Sequence, residues 1–227
     1  MQEIKLSPRL AWFSDRVRRN VQFVDVGTDH AKLPVALVKS GRVKNVIAAD
    51  IGEGPIARAR MYIHAAGCGG KIETAITDGL AGLPIHAPCD IAICGMGGET
   101  ILGILDAAPI VRQADIRLLL QPMTDFALLR RYLADNGFAP EEEDIVVSEG
   151  RMYQCIVVSY SGTPYALTET EAELGKFCIA KRSENFLRYV QRRYTIVEKC
   201  LLGKRKANAD TSEEEALLAG YEKILKG

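Results

Sequence analysis

Five short polar segments follow apolar runs in this sequence, each at a point where a strand is expected to end. They are Asp25-Val26-Gly27-Thr28-Asp29-His30, Asp50-Ile51, Asp78-Gly79, Gly95-Met96-Gly97-Gly98 and Gln121-Pro122. A carboxylate such as that of Asp50 can accept hydrogen bonds from both hydroxyls of a ribose, and it would repel a 2′-phosphate. The Asp78 carboxylate is suited to the amino group of an adenine. Gly27 would let the backbone approach such a ligand closely.

The first segment distinguishes between two nucleoside cofactors. The pyrophosphate of NAD needs clustered backbone N–H groups and little negative charge, which a G-x-G-x-x-G loop supplies. Here Gly27 is followed by Asp29, which would oppose a pyrophosphate but tolerate an ammonium and a sulfonium, so S-adenosylmethionine fits better than NAD. The residues expected to bind it are Asp25, Gly27, Thr28, Asp29, His30, Asp50, Ile51, Asp78, Gly79, Gly95, Met96 and Gly97. In the alternative interpretation, Asp25 and Gly27 only end a strand, and Asp29-His30 caps the next helix.

Strand-like and helical patterns alternate through the first 137 residues. Apolar runs at 21–27, 45–51, 71–78, 90–97 and 116–122 are separated by helical patterns at 34–40, 55–66, 98–107 and 124–136, after a first helix with Ser7 as N-cap and Pro8 at its first position. This alternation predicts a doubly wound α/β sheet, which binds ligands at the carboxyl ends of its parallel strands. Two more runs, at 142–148 and 151–160, predict an antiparallel hairpin at the sheet edge. Five parallel strands with a terminal hairpin are the outline of the class I methyltransferases, which have a Rossmann-like fold.

The rest of the chain has only helical patterns, so we predict a domain at 1–163 and a helical domain at 164–227. Apolar residues at spacings of three and four from Leu187 to Leu201 predict a long helix that ends near Gly203. Ser212, with Glu215 three residues later, predicts a capping box at the start of a second helix. The two helices are expected to pack as an antiparallel, coiled-coil-like hairpin.

The charge of the chain is balanced overall but uneven along its length. The chain has 29 Lys and Arg residues and 29 Asp and Glu residues, yet between Lys176 and Lys206 ten basic residues face two acidic ones. This local basic surface favours binding to the phosphates of a nucleic acid. The alternative is a solvated helix face that packs the protein or forms a dimer.

Composition excludes several other classes of protein. With 48% hydrophobic and 26% charged residues among 227, the chain is typical of a globular protein. It has no apolar run of about 18 residues and no secretory pattern at its start, so we expect a cytoplasmic location. Six cysteines show no C-x-x-C and no paired spacing with histidine, which indicates neither a zinc site nor a disulfide framework. Cys94 is expected to be a small buried residue, with a place near the cofactor as the alternative.

Several motifs together resemble the bacterial tRNA (adenine-22-N1)-methyltransferases of the TrmK type, over nearly the whole chain. They are VDVGTDHAKLP, VIAADIGEGPIARAR, ICGMGGETI, LLLQP, LRRYLADNGF and the basic helical hairpin. The resemblance implies a class I methyltransferase fold with an appended coiled-coil-like domain, S-adenosylmethionine as methyl donor, and N1 of an adenine in the D-loop region of tRNA as acceptor. Lys32 and Met123 depart from the pattern, which has an aromatic residue and Asn at those positions.

The Gly-Met-Gly-Gly segment bears on the atom that is methylated. Enzymes that methylate an adenine amine carry an Asn-Pro-Pro-Tyr type of turn there, and this chain lacks both the amide and the stacking ring, which favours a ring nitrogen or another acceptor. Because adenine N1 has an in-plane lone pair, catalysis would come mainly from positioning. Asp29 is the candidate catalytic residue, as an acceptor for the N6 protons that methylation makes acidic.

We expect Arg9, Arg16, Gln121, Arg188 and Arg192 to bind the tRNA. The protein is expected to be a monomer or weak dimer without a metal. Three alternatives remain from the sequence: a methyltransferase for another RNA, one for a small molecule, or a non-catalytic RNA-binding protein.

Overall fold

A computed structural model describes residues 4–227, and its centre is a mixed sheet with strand order β3-β2-β1-β4-β5-β7-β6. The strands are β1 Gln22–Val26, β2 Val46–Asp50, β3 Ile72–Ile76, β4 Cys89–Met96, β5 Ile116–Pro122, β6 Phe138–Ser148 and β7 Arg151–Tyr160. The first five run parallel, and β7 pairs antiparallel with both β5 and β6. The predicted doubly wound sheet with a terminal hairpin is confirmed.

Helices cover both faces of this sheet, which is why its central strands are apolar on both sides. They are α1 Pro8–Arg16, α2 Lys32–Lys39, α3 Glu53–Ala65, α4 Gly98–Asp106 and α5 Phe126–Asp135, with a 3-10 turn at Pro109–Arg112. Side chains of α1, α2 and α3 form one core with Phe23 of β1. Side chains of α4 and α5 form a second core with the next residue, Val24, because successive strand residues point to opposite faces.

Helix α1 is capped at its start and fixed against the sheet at its end. Ser7 accepts a hydrogen bond from Leu10 N at 3.5 Å, and Pro8 occupies the first turn, as predicted. At the other end, the Arg16 guanidinium pairs with Glu142 of β6 through two hydrogen bonds, one of them 2.8 Å from Nε to Oε2. This anchoring brings the first turn of α1, with Arg9, to the carboxyl ends of the parallel strands.

The C-terminal segment is helical and ends in the predicted antiparallel hairpin. It comprises α6 Glu169–Leu174, α7 Lys176–Lys181, α8 Glu184–Lys206 and α9 Ser212–Lys226. The pairs Tyr194–Glu222, 3.2 Å between their oxygens, and Lys204–Glu214, 2.7 Å from Nζ to Oε1, join α8 to α9 in reversed order, which shows that the helices run antiparallel.

Two predicted helix ends are wrong. Gly203 lies inside α8, and its carbonyl accepts a bond from Ala207 N at 3.2 Å; a glycine interior to an exposed helix costs only about 1 kcal/mol, so it did not end the helix. The capping box at Ser212 and Glu215 is absent, because the Ser212 hydroxyl bonds Asp210 at 2.6 Å instead. A complete capping box is found at Thr168 and Glu171.

A buried ion pair holds the helical segment on the sheet. Arg130 of α5 donates through Nε to Glu143 of β6 at 2.7 Å, and both side chains are almost fully buried. Arg130 also donates to Ala172 O at 3.2 Å, and Glu143 accepts from Phe177 N at 3.0 Å, so α6 and α7 are tied into the same network. The division at residues 163 and 164 stays a prediction; residues 1–3 of the first predicted domain lie outside the described residues.

Candidate active site

The polar segments predicted from the sequence meet at one edge of the sheet, where two cavities lie on either side of Gly27. One, of about 530 Å³, is called the Asp50 cavity; it is lined by Val26, Gly27, Asp50, Ile51, Thr77, Asp78, Gly79, Leu80, Met96 and residues of α4 such as Thr100 and Ile104. The other, of about 540 Å³, is called the Arg9 cavity; it is lined by Arg9, Asp25, Gly27, Thr28, Asp29, His30, Lys32, Cys94, Tyr153 and their neighbours.

The Asp50 cavity has unused carboxylate oxygens above an apolar wall. Asp50 accepts one hydrogen bond through Oδ1, from Gly52 N at 2.8 Å, and neither Asp50 nor Asp78 has an ion pair among the described residues. Ile51 is 70% exposed beside them. A Cβ on Gly27 would overlap the Met96 methyl group, so a side chain at that position would displace Met96 from its place in the lining. Two carboxylates without ion pairs, beside an apolar surface, are complementary to a nucleoside: one can accept hydrogen bonds from the ribose hydroxyls and the other from an amino group of the base.

The Arg9 cavity is organised around Arg9 of α1. Its guanidinium donates to Gln121 Oε1 and lies 5.1 Å from the centre of the Tyr153 ring. Gln121 is fully buried at the end of β5, and its Nε2 donates to Pro122 O at 2.8 Å and contacts Met123 Sδ at 3.2 Å. The structure therefore places two of the predicted tRNA-binding residues, Arg9 and Gln121, side by side, but only Arg9 lines the cavity. The prediction that Gln121 binds the tRNA directly is wrong, because its side chain is fully buried and orients Arg9 instead.

Asp25 is the most perturbed carboxyl of this cavity. Burial at the end of β1 raises its pKa to about 6; the Thr28 hydroxyl and Arg9 oppose this shift, and the nearby charge of Asp50 adds to it. Near neutral pH Asp25 is therefore an anion held in a poorly solvated position, which a cationic ligand would stabilise.

Asp29 lies at the mouth of the Arg9 cavity and is more than half exposed. Arg58 of α3 donates to Asp29 Oδ1, at 2.9 Å through Nε, and His30 Nε2 lies 3.1 Å from Oδ2. The hydrogen bonds from Arg58 hold the pKa of Asp29 below its ordinary value. The alternative that Asp29-His30 caps the next helix is wrong, because α2 begins after Ala31 without a side-chain cap.

The Gly-Met-Gly-Gly segment crosses from β4 into α4 beside both cavities. Of the three predicted cofactor residues in this segment, Met96 lines the Asp50 cavity, whereas Gly95 faces Arg9 and Gly97 packs against Thr124. A Cβ on Gly98 would lie 2.6 Å from Asp125 O, so this glycine lets α4 pack closely against the start of α5.

The remaining predicted tRNA-binding residues differ in whether they already have an acidic partner. Arg16 is bound to Glu142 and lies over the Trp12 ring at 3.7 Å, while Arg188 and Arg192 are exposed on α8. Of the ten basic residues between 176 and 206, five have acidic partners: Lys176, Lys181, Arg193, Lys204 and Arg205. Within residues 4–227 the other five, Arg182, Arg188, Arg192, Lys199 and Lys206, have none. Half of these ten basic residues are therefore available to a partner.

Sequence reasoning missed the residues that reach the site from outside the parallel strands. Lys5 and Ser7 precede α1, and Ser148, Glu149 and Tyr153 belong to the hairpin, yet all five line the Arg9 cavity. The hairpin residues could have been found, because a strand antiparallel to β5 begins at the edge where β5 ends.

Residues 6–156 match the model of a family described as Methyltransferase domain. The chain belongs to this methyltransferase family. Among curated proteins, it is 31% identical over 157 residues to the tRNA (adenine(22)-N(1))-methyltransferase of Bacillus subtilis (strain 168), a match that covers 69% of this chain and 66% of that protein.

Solved methyltransferase structures are similar over the whole chain. The Streptococcus pneumoniae protein Sp1610, in complex with S-adenosyl-L-methionine, has 29% identity and a TM-score of 0.85, and the match covers 97% of this chain and 100% of that one. The B. subtilis m1A22 tRNA methyltransferase TrmK has 25% identity and a TM-score of 0.82, with 99% and 97% covered. The resemblance to the TrmK proteins, predicted from the motifs, is confirmed.

A membrane span is not found in the part of the chain that the structure describes: none of its helices there is long and apolar enough to cross a bilayer.

Proposed function

We propose that this methyltransferase transfers the methyl group of S-adenosylmethionine to N1 of adenine 22 in tRNA. One observation carries the proposal: a cavity with two free carboxylates adjoins a second, arginine-containing cavity, in a chain similar over its length to TrmK. The two cavities meet at Gly27, where donor and acceptor would be brought together. The protein would work in the cytoplasm as a monomer or weak dimer.

The Asp50 cavity is suited to the nucleoside part of the cofactor. Asp50 would accept from the ribose hydroxyls and Asp78 from the adenine amino group, while Ile51 and Met96 would contact the faces of the base. When bound, S-adenosylmethionine supplies an electrophilic methyl group on a positively charged sulfur. Asp25 would stabilise positive charge on the far side of Gly27.

The Arg9 cavity would position the target adenine. Attack by the N1 lone pair needs no base, so the role of the chain is to hold the ring in line and exclude water. As the ring becomes cationic, Asp29 would accept a hydrogen bond from its N6 amino group. In the free protein Asp29 is bound by Arg58, so this contact requires an exchange of partners.

The tRNA has to present a base edge that is normally paired or stacked. N1 lies on the Watson–Crick edge, so the adenine must leave the stack to reach the cavity. Arg188 and Arg192, which have no ion pair in residues 4–227, would bind phosphates next to the target adenine. Binding of the tRNA would therefore weaken as the salt concentration increases.

Methyl transfer to defined transcripts tests the proposal. The purified protein is incubated with methyl-labelled S-adenosylmethionine and an unmodified tRNA that has adenine at position 22, and with the same tRNA carrying guanine there. We expect label only in the first transcript, and a stop of reverse transcriptase at the modified base. Absence of label, or label that is equal in both transcripts, would refute the proposal.

A further inference from the structure

A third cavity, called here the α8 groove, lies between the end of β5, the start of β7 and the middle of α8. Its volume is about 270 Å³, and its lining includes Met123, Phe126, Arg151, Tyr153, Arg192 and Ile196. We propose that the α8 groove binds a nucleotide adjacent to the methylated adenine, with the base on the apolar side chains and a phosphate on the two arginines. This inference rests on the function proposed above and names a substrate-binding site for it.

Three apolar side chains from separate elements converge on the α8 groove without covering one another. Met123 follows β5 and is 40% exposed, Ile196 of α8 is 46% exposed, and Phe126 opens α5. Their aromatic and aliphatic surfaces are suited to the face of a base, since stacking tolerates any base that presents a π-face.

Two arginines give the same groove an unbalanced positive charge. Arg151 and Arg192 are exposed and have no ion pair within residues 4–227, and Arg188 lies one helical turn before Arg192. Arg193, the next residue along α8, is by contrast paired with Glu173. A groove that combines free guanidinium groups with apolar surface is complementary to a ligand that is both anionic and aromatic, which describes a nucleotide.

The α8 groove adjoins the Arg9 cavity. The Tyr153 side chain lines both. Gln121 links them as well, because it accepts from Arg9 on one side and contacts Met123 Sδ at 3.2 Å on the other. An RNA strand whose adenine enters the Arg9 cavity would therefore place a neighbouring nucleotide at this groove.

Two single variants with matched controls test the site in the full-length protein. Arg192→Ala removes a groove charge, and Lys223→Ala removes an exposed, unpaired charge from α9. Ile196→Ala trims the apolar wall, and Leu202→Ala trims an aliphatic side chain of α8 that is 52% exposed outside the groove. We expect KM for tRNA to rise about tenfold in Arg192→Ala and about fivefold in Ile196→Ala, with kcat and the Kd for S-adenosylmethionine unchanged. The controls should match the wild type.

A spectroscopic measurement separates base stacking from a general loss of affinity. In two tRNA transcripts, 2-aminopurine replaces the nucleotide before or after the target adenine, and one of the two should change its fluorescence when the wild-type protein binds. That change should be lost in Ile196→Ala at saturating protein and kept in Leu202→Ala. Groove variants that match their controls in KM and in fluorescence, in a wild type that methylates tRNA, would overturn this inference alone. A wild type that methylates no tRNA would remove both proposals.

Discussion

The two cavities that meet at Gly27 have almost the same volume but differ in whether their polar side chains already have partners. In the Asp50 cavity, Asp50 and Asp78 have no ion pair within residues 4–227. In the Arg9 cavity two polar groups are already engaged, Arg9 with Gln121 and Asp29 with Arg58, while Asp25 has no ion pair within residues 4–227.

This difference indicates how each cavity meets its ligand. Free carboxylates over an apolar wall can accept hydroxyl and amino groups without breaking any internal contact, so the Asp50 cavity is preorganised for a nucleoside. In the Arg9 cavity a ligand must replace internal partners, and a base that lacks the right groups would leave those charges unpaired. We expect the first cavity to supply affinity for the cofactor and the second to supply selectivity for the acceptor.

Gly27→Ala changes the residue that the two cavities share, and it should have the largest effect on cofactor affinity. Gly27 has a φ of +78°, and a Cβ there would overlap the methyl group of Met96, the flexible end of a side chain that lines the Asp50 cavity. Backbone strain, with only a small cost for moving Met96, should lower the free energy of unfolding by about 1–2 kcal/mol. Affinity for S-adenosylmethionine should fall at least about a hundredfold, because the added Cβ and the displaced Met96 both change the cavity lining. Urea denaturation and calorimetry measure the two quantities.

Gly41→Ala is the matched control for this change. Gly41 has a similar φ of +69° but no heavy atom within 4 Å of its added Cβ, so it isolates the backbone strain. It should cost about 1–2 kcal/mol in stability and leave cofactor affinity unchanged. Equal cofactor affinities in the two variants would show that Gly27 does not shape the cavity.

Asp25→Asn should stabilise the free protein, since the Arg9 cavity holds this carboxylate at a cost. The folded pKa of about 6 lies above the ordinary 3.8, so the native state binds the proton more tightly than the unfolded state. The free energy of unfolding should therefore fall by at most about 3 kcal/mol as pH rises from about 4 to about 6, and it should stay at the lower value above about pH 6.

Denaturation of Asp25→Asn across pH 4 to 8 checks this sign. The variant should lack the decline between pH 4 and 6 and be more stable than the wild type at pH 8, yet bind S-adenosylmethionine more weakly because a negative charge is lost. A variant with the same pH slope as the wild type would show that Asp25 is not the group responsible.

Asp50→Asn tests the preorganised cavity with less disturbance. The amide keeps an oxygen for the Gly52 N–H, so the fold should be retained, while the charge available to the ribose hydroxyls disappears. Cofactor affinity should fall about tenfold to a hundredfold, as expected for one charged hydrogen-bond acceptor. Calorimetry with S-adenosylmethionine measures it, and unchanged affinity would contradict the assigned role.

The sequence predicted the Asp50 cavity better than the Arg9 cavity, for a topological reason. Asp50 and Asp78 follow parallel strands, whose carboxyl ends must meet at one edge, so the order of the elements was enough to bring them together. The Arg9 cavity also takes residues from α1 and from the antiparallel hairpin, such as Lys5 and Tyr153, and no local pattern marks where those elements return to the site.

The sequence gives the number of basic side chains, but it does not show which of them are free of acidic partners. Arg16 and Arg192 look alike in the sequence, and both were expected to bind tRNA. Only the fold shows that Arg16 is bound to Glu142, 126 residues away, while Arg192 has no acidic partner in the described part of the chain. Ion pairs between distant residues have no local periodicity, so sequence reasoning counted charges that the fold neutralises.

Arg58→Ala sharpens the comparison with the smallest expected effect. The Arg58 and Asp29 side chains are 49% and 56% exposed, and such pairs contribute at most about 1 kcal/mol, so stability should hardly change. The pKa of Asp29 should rise toward its ordinary value, and its carboxylate would no longer need to exchange partners when adenine binds. We expect kcat for tRNA methylation to stay equal to that of the wild type or to rise a few-fold.

Asp29→Ala and the double variant complete this test. Loss of the acceptor should lower kcat about tenfold in Asp29→Ala, and adding Arg58→Ala should change nothing further, because Arg58 would act only through Asp29. Arg60→Ala removes another arginine of α3, which is hydrogen-bonded to Thr74 of β3; it is the control and should match the wild type. If Asp29→Ala methylates at the full rate, the Asp29–Arg58 pair is only a surface contact, and selectivity must come from other lining residues such as Arg9, which Gln121 holds in place.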